Sequence, residues 1–517
     1  MTLIQNAVAT AVTTFTAWGI YTYLAYDARW WWKRRSRSSL EVCHQPNWEN
    51  ELIRGTVAPG WERVRDEFLQ NFRCRGELGA AVCIYHRGEK VVDLWGGYRD
   101  REKRSKWKKD TMVPIMSTGK GVSAFAILMQ ESRKKLDVDE KVSAYWPEFA
   151  QNGKGDVTVA QLIDHSTGLA GIVPPITLQM LQHENSQHIL RDHLAEAKME
   201  WPKAGDYKGY MAVMLGFYES AIVQMTDTYT YTADSHRTGS KFKRTIGKYL
   251  HDEAFVPLQI DDEIYFGLPD DDSVPNQRIA KLDSMSGFEP LWPSGGFPDG
   301  LMYKLLLQPN SYTGRAFRNP QLSSMPSIMD YNRRDVLQTE MPASGCVANA
   351  RSVATMYWAA ERAINTNGRV NPLGLSPKAL DRCMQPAKPS RNNGWVDAVL
   401  DIECCMGAGY NLPAPKEYRG TGRFVSVPNG FGTGGAGGSF GYCDPEAEIA
   451  YSYVMNRCGQ VVVDDPRDVA LRTKMYEAVQ ELRKKEGREL LNTSELTTPH
   501  YLTKRYMEAH PELALLV

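Results

Sequence analysis

The chain has 517 residues and carries 61 Lys plus Arg against 61 Asp plus Glu, a zero net charge that argues against a nucleic-acid partner. With 42% hydrophobic and 24% charged residues it reads as an ordinary globular protein, long enough for a large core and more than one domain. Nine scattered cysteines without a C-x-x-C spacing read as buried free thiols rather than a disulfide framework, and with no H-E-x-x-H or paired-cysteine motif neither a metal nor a cofactor is expected.

The chain opens on an uncharged stretch, Thr2 to Tyr26, followed by Arg29, Trp30-Trp31-Trp32 and Lys33-Arg34-Arg35. About 20 mostly apolar residues can span a bilayer, and tryptophans beside basic residues fit an interfacial flank. Residues 1–26 are therefore expected to be a single membrane anchor and 27–50 a basic, aromatic linker, with the positive flank favouring a cytosolic C-terminal side. A targeting segment or a helix buried by the protein itself are the alternatives, and the organelle is left open. Next, Gly79 to His86 and Val91 to Trp95 read as a β-hairpin turning at Arg87-Gly88-Glu89-Lys90. Arg101 to Lys109 is a charged run and reads as a solvated loop.

Ser-x-x-Lys occurs four times, starting at Ser105, Ser117, Ser132 and Ser240. Only Ser117 follows an apolar approach and precedes an amphipathic helix, with Val122, Phe125, Ala126 and Met129 at helical spacing. A serine needs a base to become nucleophilic, and Lys120 lies one turn on. The Ser117 N–H, free at a helix N-terminus, suits an oxyanion. The bland alternative is a plain N-cap serine. Further on, Val157 to His165 reads as a helix ending at the Ser166-Thr-Gly168 turn, and Thr226 to Arg244 as an inserted polar loop. Gly438 to Cys443 and Glu448 to Met455 read as strands, and Asp465-Pro466 as N-cap and first turn of a last helix. Strands at both ends with helices between suggest one sheet split in sequence by a helical insertion.

These motifs, taken in order, resemble the serine β-lactamase-related family, which includes class C lactamases, penicillin-binding proteins and carboxylesterases of that fold. Asp110-Thr-Met-Val-Pro-Ile-Met-Ser-Thr-Gly-Lys120 looks like the nucleophile motif. Leu136-Asp-Val-Asp139, Tyr145-Trp-Pro-Glu-Phe149 and Leu162-Ile-Asp-His-Ser-Thr-Gly-Leu169 look like the structural run after it. Trp201-Pro-Lys-Ala-Gly205 and Gly209-Tyr-Met-Ala212 look like the approach to a catalytic tyrosine, and Phe431 to Gly441 like the third motif. The resemblance implies an α+β fold: a mixed, mainly antiparallel sheet flanked by helices, with an inserted all-helical subdomain. It would occupy residues 51–490 and leave 491–517 as a tail.

What the resemblance implies for the site is a serine hydrolase acting through an acyl-enzyme on a small ester or amide, an esterase rather than a true β-lactamase. Ser117 would attack, Lys120 and Tyr210 would move the proton, and Tyr210 could serve as a phenolate held by the lysine's charge. The N–H groups of Ser117 and Ala436 would form the oxyanion hole, with Thr433, Gly434 and Gly435 at the substrate. Thr433 stands where the family usually carries Lys or His, and Ala212 where an amide side chain is usual. Both departures favour a small neutral ester over a β-lactam. The rival is a weak or inactive membrane-tethered scaffold of the same fold. Ser439, in a G-x-S-x-G pattern, ranks far below Ser117 because it enters a strand rather than a strained elbow. His165 reads as structural, and His183, His188 and His193 share no helical face. Oligomeric state is left open.

Overall fold

The computed structural model describes residues 52–509, apart from 233–240, 272, 284–295, 299 and 324–326. The expected anchor and linker at 1–50 and the Ser-x-x-Lys serine at 240 lie outside the described residues. Among the described residues no helix is long and apolar enough to cross a membrane.

Strand β1 (Ile53–Val57) leads into helix α1 (Glu62–Cys74), then β2 (Gly79–His86) and β3 (Glu89–Asp100). The hairpin is tighter than the sequence suggested. Arg87 and Gly88 alone form the turn, with φ of 52° and 86°. Two left-handed residues match the twist of the paired strands. Helix α2 (Thr118–Ser132) begins at the nucleophile motif, and the helical region that follows includes α3 (Met214–Thr226) and α4 (Leu301–Leu307). Helix α5 (Ala350–Asn365) returns the chain to the sheet, and β4 (Phe431–Gly434), β5 (Phe440–Asp444), β6 (Ile449–Met455) and α6 (Pro466–Lys485) complete it.

The sheet runs β1-β3-β2-β6-β5-β4 and then two short strands, Tyr410–Asn411 and Met406–Gly407. Every pairing along it is antiparallel. The two ends of the chain meet at β6 and β2, from Ile449 opposite His86 to Met455 opposite Ala80. This is the split sheet read from the sequence. Side chains alternate across it. Ala80, Val82 and Ile84 join Phe68, Tyr451 and Met475 under α1 and α6, while Ala81 and Cys83 join Val353 and Ala354 of α5 on the other face.

Three readings change. Helix α2 is not half-exposed: every residue from Thr118 to Glu131 is buried. It packs against α3, the helix Ile246–Leu250, the helix Pro377–Cys383 and β4, so its polar side has no solvent to face. The polar insertion after Thr226 contains a two-stranded ribbon, Thr230–Thr232 against Lys241–Lys243. The expected C-terminal tail folds back onto the body up to residue 509. His500 donates its N–H to Asp464, Thr503 donates its hydroxyl to the Val463 carbonyl, and Leu502 is fully buried. Asp465 caps α6 as expected, accepting from the Arg467 N–H, with Pro466 in the first turn. Seven of the described cysteines are buried thiols.

Candidate active site

Ser117 holds the cap position of α2, yet its side chain makes no cap hydrogen bond. The plain N-cap alternative therefore fails. The preceding Met116 has φ of 48°, a left-handed conformation that costs energy for a side-chain-bearing residue and turns the serine outward. Lys120, fully buried, places Nζ 3.0 Å from Ser117 Oγ. Its other partners are the carbonyls of Ala212 at 2.6 Å and Ala343 at 2.8 Å. All three are uncharged. Burial therefore dominates and pulls the amine down to about 7, against a smaller upward pull from the Glu219 carboxylate. A neutral amine has two N–H groups for the two carbonyls and a lone pair for the serine hydroxyl.

Tyr210 lies over the same group, its ring centroid 4.8 Å from Lys120 Nζ and its hydroxyl hydrogen-bonded to Ser117. Burial pushes this phenol well above its ordinary value, with the Ser117 hydrogen bond opposing it less strongly. The phenolate envisaged from sequence is thus disfavoured: both Lys120 and Tyr210 are driven to their neutral forms. His165 fixes the tyrosine loop. Its carbonyl accepts the Gly209 N–H at 3.0 Å, its Nδ1 accepts the Met211 N–H at 3.1 Å, and its ring sits 5.1 Å from that of Tyr210. Desolvation, helped by Lys120 and Lys208, drives the imidazole to about 3 and keeps it an acceptor. Asp397 takes the Tyr210 N–H.

The glycine loop forms the opposite wall. Gly434, Gly435 and Ala436 all border the cavity that Ser117 and Tyr210 open into. Among the described residues, neither the Ser117 nor the Ala436 N–H is donated to a backbone carbonyl. A Cβ on Gly435 would collide with the Ile115 carbonyl and the Ser439 hydroxyl, so only glycine lets the loop approach Ser117 this closely. Arg467 donates to the Gly437 carbonyl at 2.8 Å and anchors the loop from behind. Ser439 is a clamp: its hydroxyl donates to the Ile115 carbonyl at 2.9 Å and lies 2.9 Å from Thr118 Oγ1.

Thr433 does not stand where the sequence placed it. It is 3% exposed and is absent from the cavity lining. It points beneath α2, where a Cβ on Gly121 would run into the Tyr357 hydroxyl and lie 2.6 Å from Thr433 Oγ1. Ala212 contributes through its backbone instead of a side chain. His183, His188 and His193 lie away from the cavity. His165, Asp397, Glu219 and Arg467 were not legible as site residues, because their roles rest on contacts between distant segments.

The cavity measures about 350 Å³. Its lining holds three carboxylates, Asp464, Asp465 and Asp468, and no Lys, Arg or His among the described residues. A serine hydroxyl set against a buried amine that desolvation pulls down to about 7, with backbone N–H groups across the cavity that no backbone carbonyl accepts, fits an acyl-transferring serine hydrolase. A family model described as Beta-lactamase matches residues 66–474, and the chain belongs to that family. Esterase/beta-lactamase LipL of Mycobacterium tuberculosis is 25% identical over 408 residues, which cover 78% of this chain and 82% of the relative. A crystal structure of a penicillin-binding protein homolog from Caulobacter crescentus is 27% identical, with a TM-score of 0.65 over 82% of this chain and 99% of that one. A family VIII carboxylesterase is 26% identical, with a TM-score of 0.63 and the same coverage.

Proposed function

We propose that this hydrolase is an esterase that cleaves neutral esters through an acyl-enzyme on Ser117. The observation that carries the reading is the Lys120 amine, buried among uncharged partners 3.0 Å from Ser117 Oγ. Neutral Lys120 takes the hydroxyl proton as Ser117 Oγ bonds to the ester carbonyl. The oxyanion faces the N–H groups of Ser117 and Ala436. The C–O bond then breaks, and the alcohol leaves with the proton held by Lys120, passed through the Tyr210 hydroxyl. Water adds to the acyl carbon as Lys120 accepts its proton, the bond from the acyl carbon to Ser117 Oγ then breaks, and Lys120 returns the proton to Ser117 Oγ as the acid leaves. The scaffold reading has little behind it: a buried lysine with no charged hydrogen-bond partner is costly, and a methionine would pack there more cheaply.

The cavity lining supports an ester over a carboxylated β-lactam more directly than Thr433 does. Among the described lining residues a substrate carboxylate would meet three aspartates and no Lys, Arg or His. Hydrogen bonds to charged groups contribute about 1.5–3 kcal/mol each, so the missing partner lowers affinity by roughly tenfold to a hundredfold. Steady-state assays are expected to show ready turnover of a neutral p-nitrophenyl ester and penicillin or cephalosporin hydrolysis near background. Efficient cephalosporin turnover would overturn the substrate assignment.

A second proposal concerns the N-terminus: residues 1–26 anchor the chain to a membrane as a single span. Their lack of charge and the Trp-Lys-Arg flank support it. The full chain should pellet with membranes and resist carbonate, while a chain beginning at Glu51 stays in the supernatant and keeps esterase activity. Release of the full chain by carbonate would exclude a simple span.

A further inference from the structure

The cavity is larger and more apolar than a small ester requires. Leu301, Leu305, Phe317, Leu400, Ile402 and Met406 line it, and three consecutive valines, Val461 to Val463, add a further apolar wall. Its 350 Å³ lies in the range that encloses a drug-sized ligand, and an acetyl group would fill only a fraction. The few charged groups on its wall are already engaged. Asp464 accepts the N–H groups of Ser426 and His500, Asp465 binds Arg467, and Asp468 binds Arg472 and Tyr451. Among the described lining residues neither an anionic nor a cationic substrate head finds a free charged partner. Helix α4 supplies Leu301 and Leu305 one turn apart and also shows Tyr303 and Leu307 to solvent, 53% and 70% exposed. An ordinary surface helix would present polar residues there.

We infer that the substrate is an ester bearing a long apolar group, an acyl chain or alcohol of about eight carbons or more, seated in this chamber. The inference rests on Ser117 as the nucleophile, whose cavity the chamber shares. Each methylene moved from water into such a site strengthens binding about fourfold. The apolar group thus supplies most of the recognition, and the polar requirement reduces to the ester carbonyl.

The test compares p-nitrophenyl acetate with p-nitrophenyl octanoate on the full chain, and adds saturable binding of a neutral dansyl-labelled decyl amide to the Ser117→Ala chain. The wild type should prefer octanoate in kcat/KM by at least about tenfold. Leu305→Arg, which places a charge in the chamber, and Val462→Trp, which fills it, should each cut that ratio by about tenfold or more, with thermal melting as the check on folding. The amide probe should bind Ser117→Ala, and Leu305→Arg in that background should weaken it at least about tenfold. An active enzyme without the chain-length preference, or a Ser117→Ala chain that does not bind the probe, overturns the inference. Probe binding without hydrolysis of either ester leaves the chamber standing and overturns the esterase reading instead.

Discussion

Ser117→Ala is expected to lower turnover of a neutral ester by at least about a thousandfold and to abolish covalent labelling by a fluorophosphonate. Among the described residues of the cavity wall, burial pushes the Cys404 thiol well above its ordinary value and keeps it protonated. Ser439, the second serine on the cavity wall, already donates to the Ile115 carbonyl and lies against Thr118, so its oxygen is committed to holding the glycine loop. Ser439→Ala should therefore still be labelled at Ser117, as peptide mapping by mass spectrometry can establish. The substitution itself is mild for the fold, because Ser117 makes no capping bond whose loss would loosen α2. Full labelling of Ser117→Ala, with loss in Ser439→Ala, would reverse the assignment.

The second large effect is expected at Lys120 and in the pH profile. General-base catalysis typically contributes about 10²–10⁴-fold, and Lys120→Ala should lose kcat/KM on that scale. The active form is the neutral amine. With Lys120 held at about 7, kcat/KM should rise about tenfold per pH unit below that value and level off above it. The Glu219 carboxylate opposes the depression, and Ser123 ties it into the site by donating to it at 2.7 Å. Removing that charge with Glu219→Gln should move the rising limb to lower pH. Tyr210→Phe keeps the ring against His165 but loses the hydroxyl on Ser117. Because the three groups act as one proton-transfer unit, the Lys120→Ala/Tyr210→Phe double variant should be little worse than either single. Multiplying losses would show that Tyr210 merely packs, and a profile flat through neutral pH would show that Lys120 is not the base.

The nucleophile motif was legible because its geometry is local. Residues three apart on a helix face each other whatever surrounds them, so Ser117 and Lys120 could be paired from spacing alone. The same holds for the Asp465-Pro466 start of α6 and the glycine turn between β2 and β3. Tyr210 needed the resemblance, since nothing within its own segment brings it to Ser117. His165 does that across 45 residues of sequence separation, through the Gly209 and Met211 N–H groups. Thr433 shows the opposite failure. Its place in the motif is local sequence, but the burial of its side chain against Gly121 and Tyr357 depends on how β4 docks beneath α2.

From residues alone, the chain determined a serine and a lysine one turn apart, a sheet divided between its two ends, and a helical insertion between them. Each rests on spacing, alternation or turn chemistry that operates over a few residues. Only the tertiary structure decided the protonation of the site, because the position of Lys120 near 7 and the neutrality of Tyr210 come from burial. Only the tertiary structure decided the chamber, because Leu301, Ile402 and Val461 lie far apart in the chain and share a wall solely through packing. Periodicity encodes which face of an element is apolar. Which faces meet, and so how large and how dry the space beside Ser117 becomes, is set by the closure of long-range contacts.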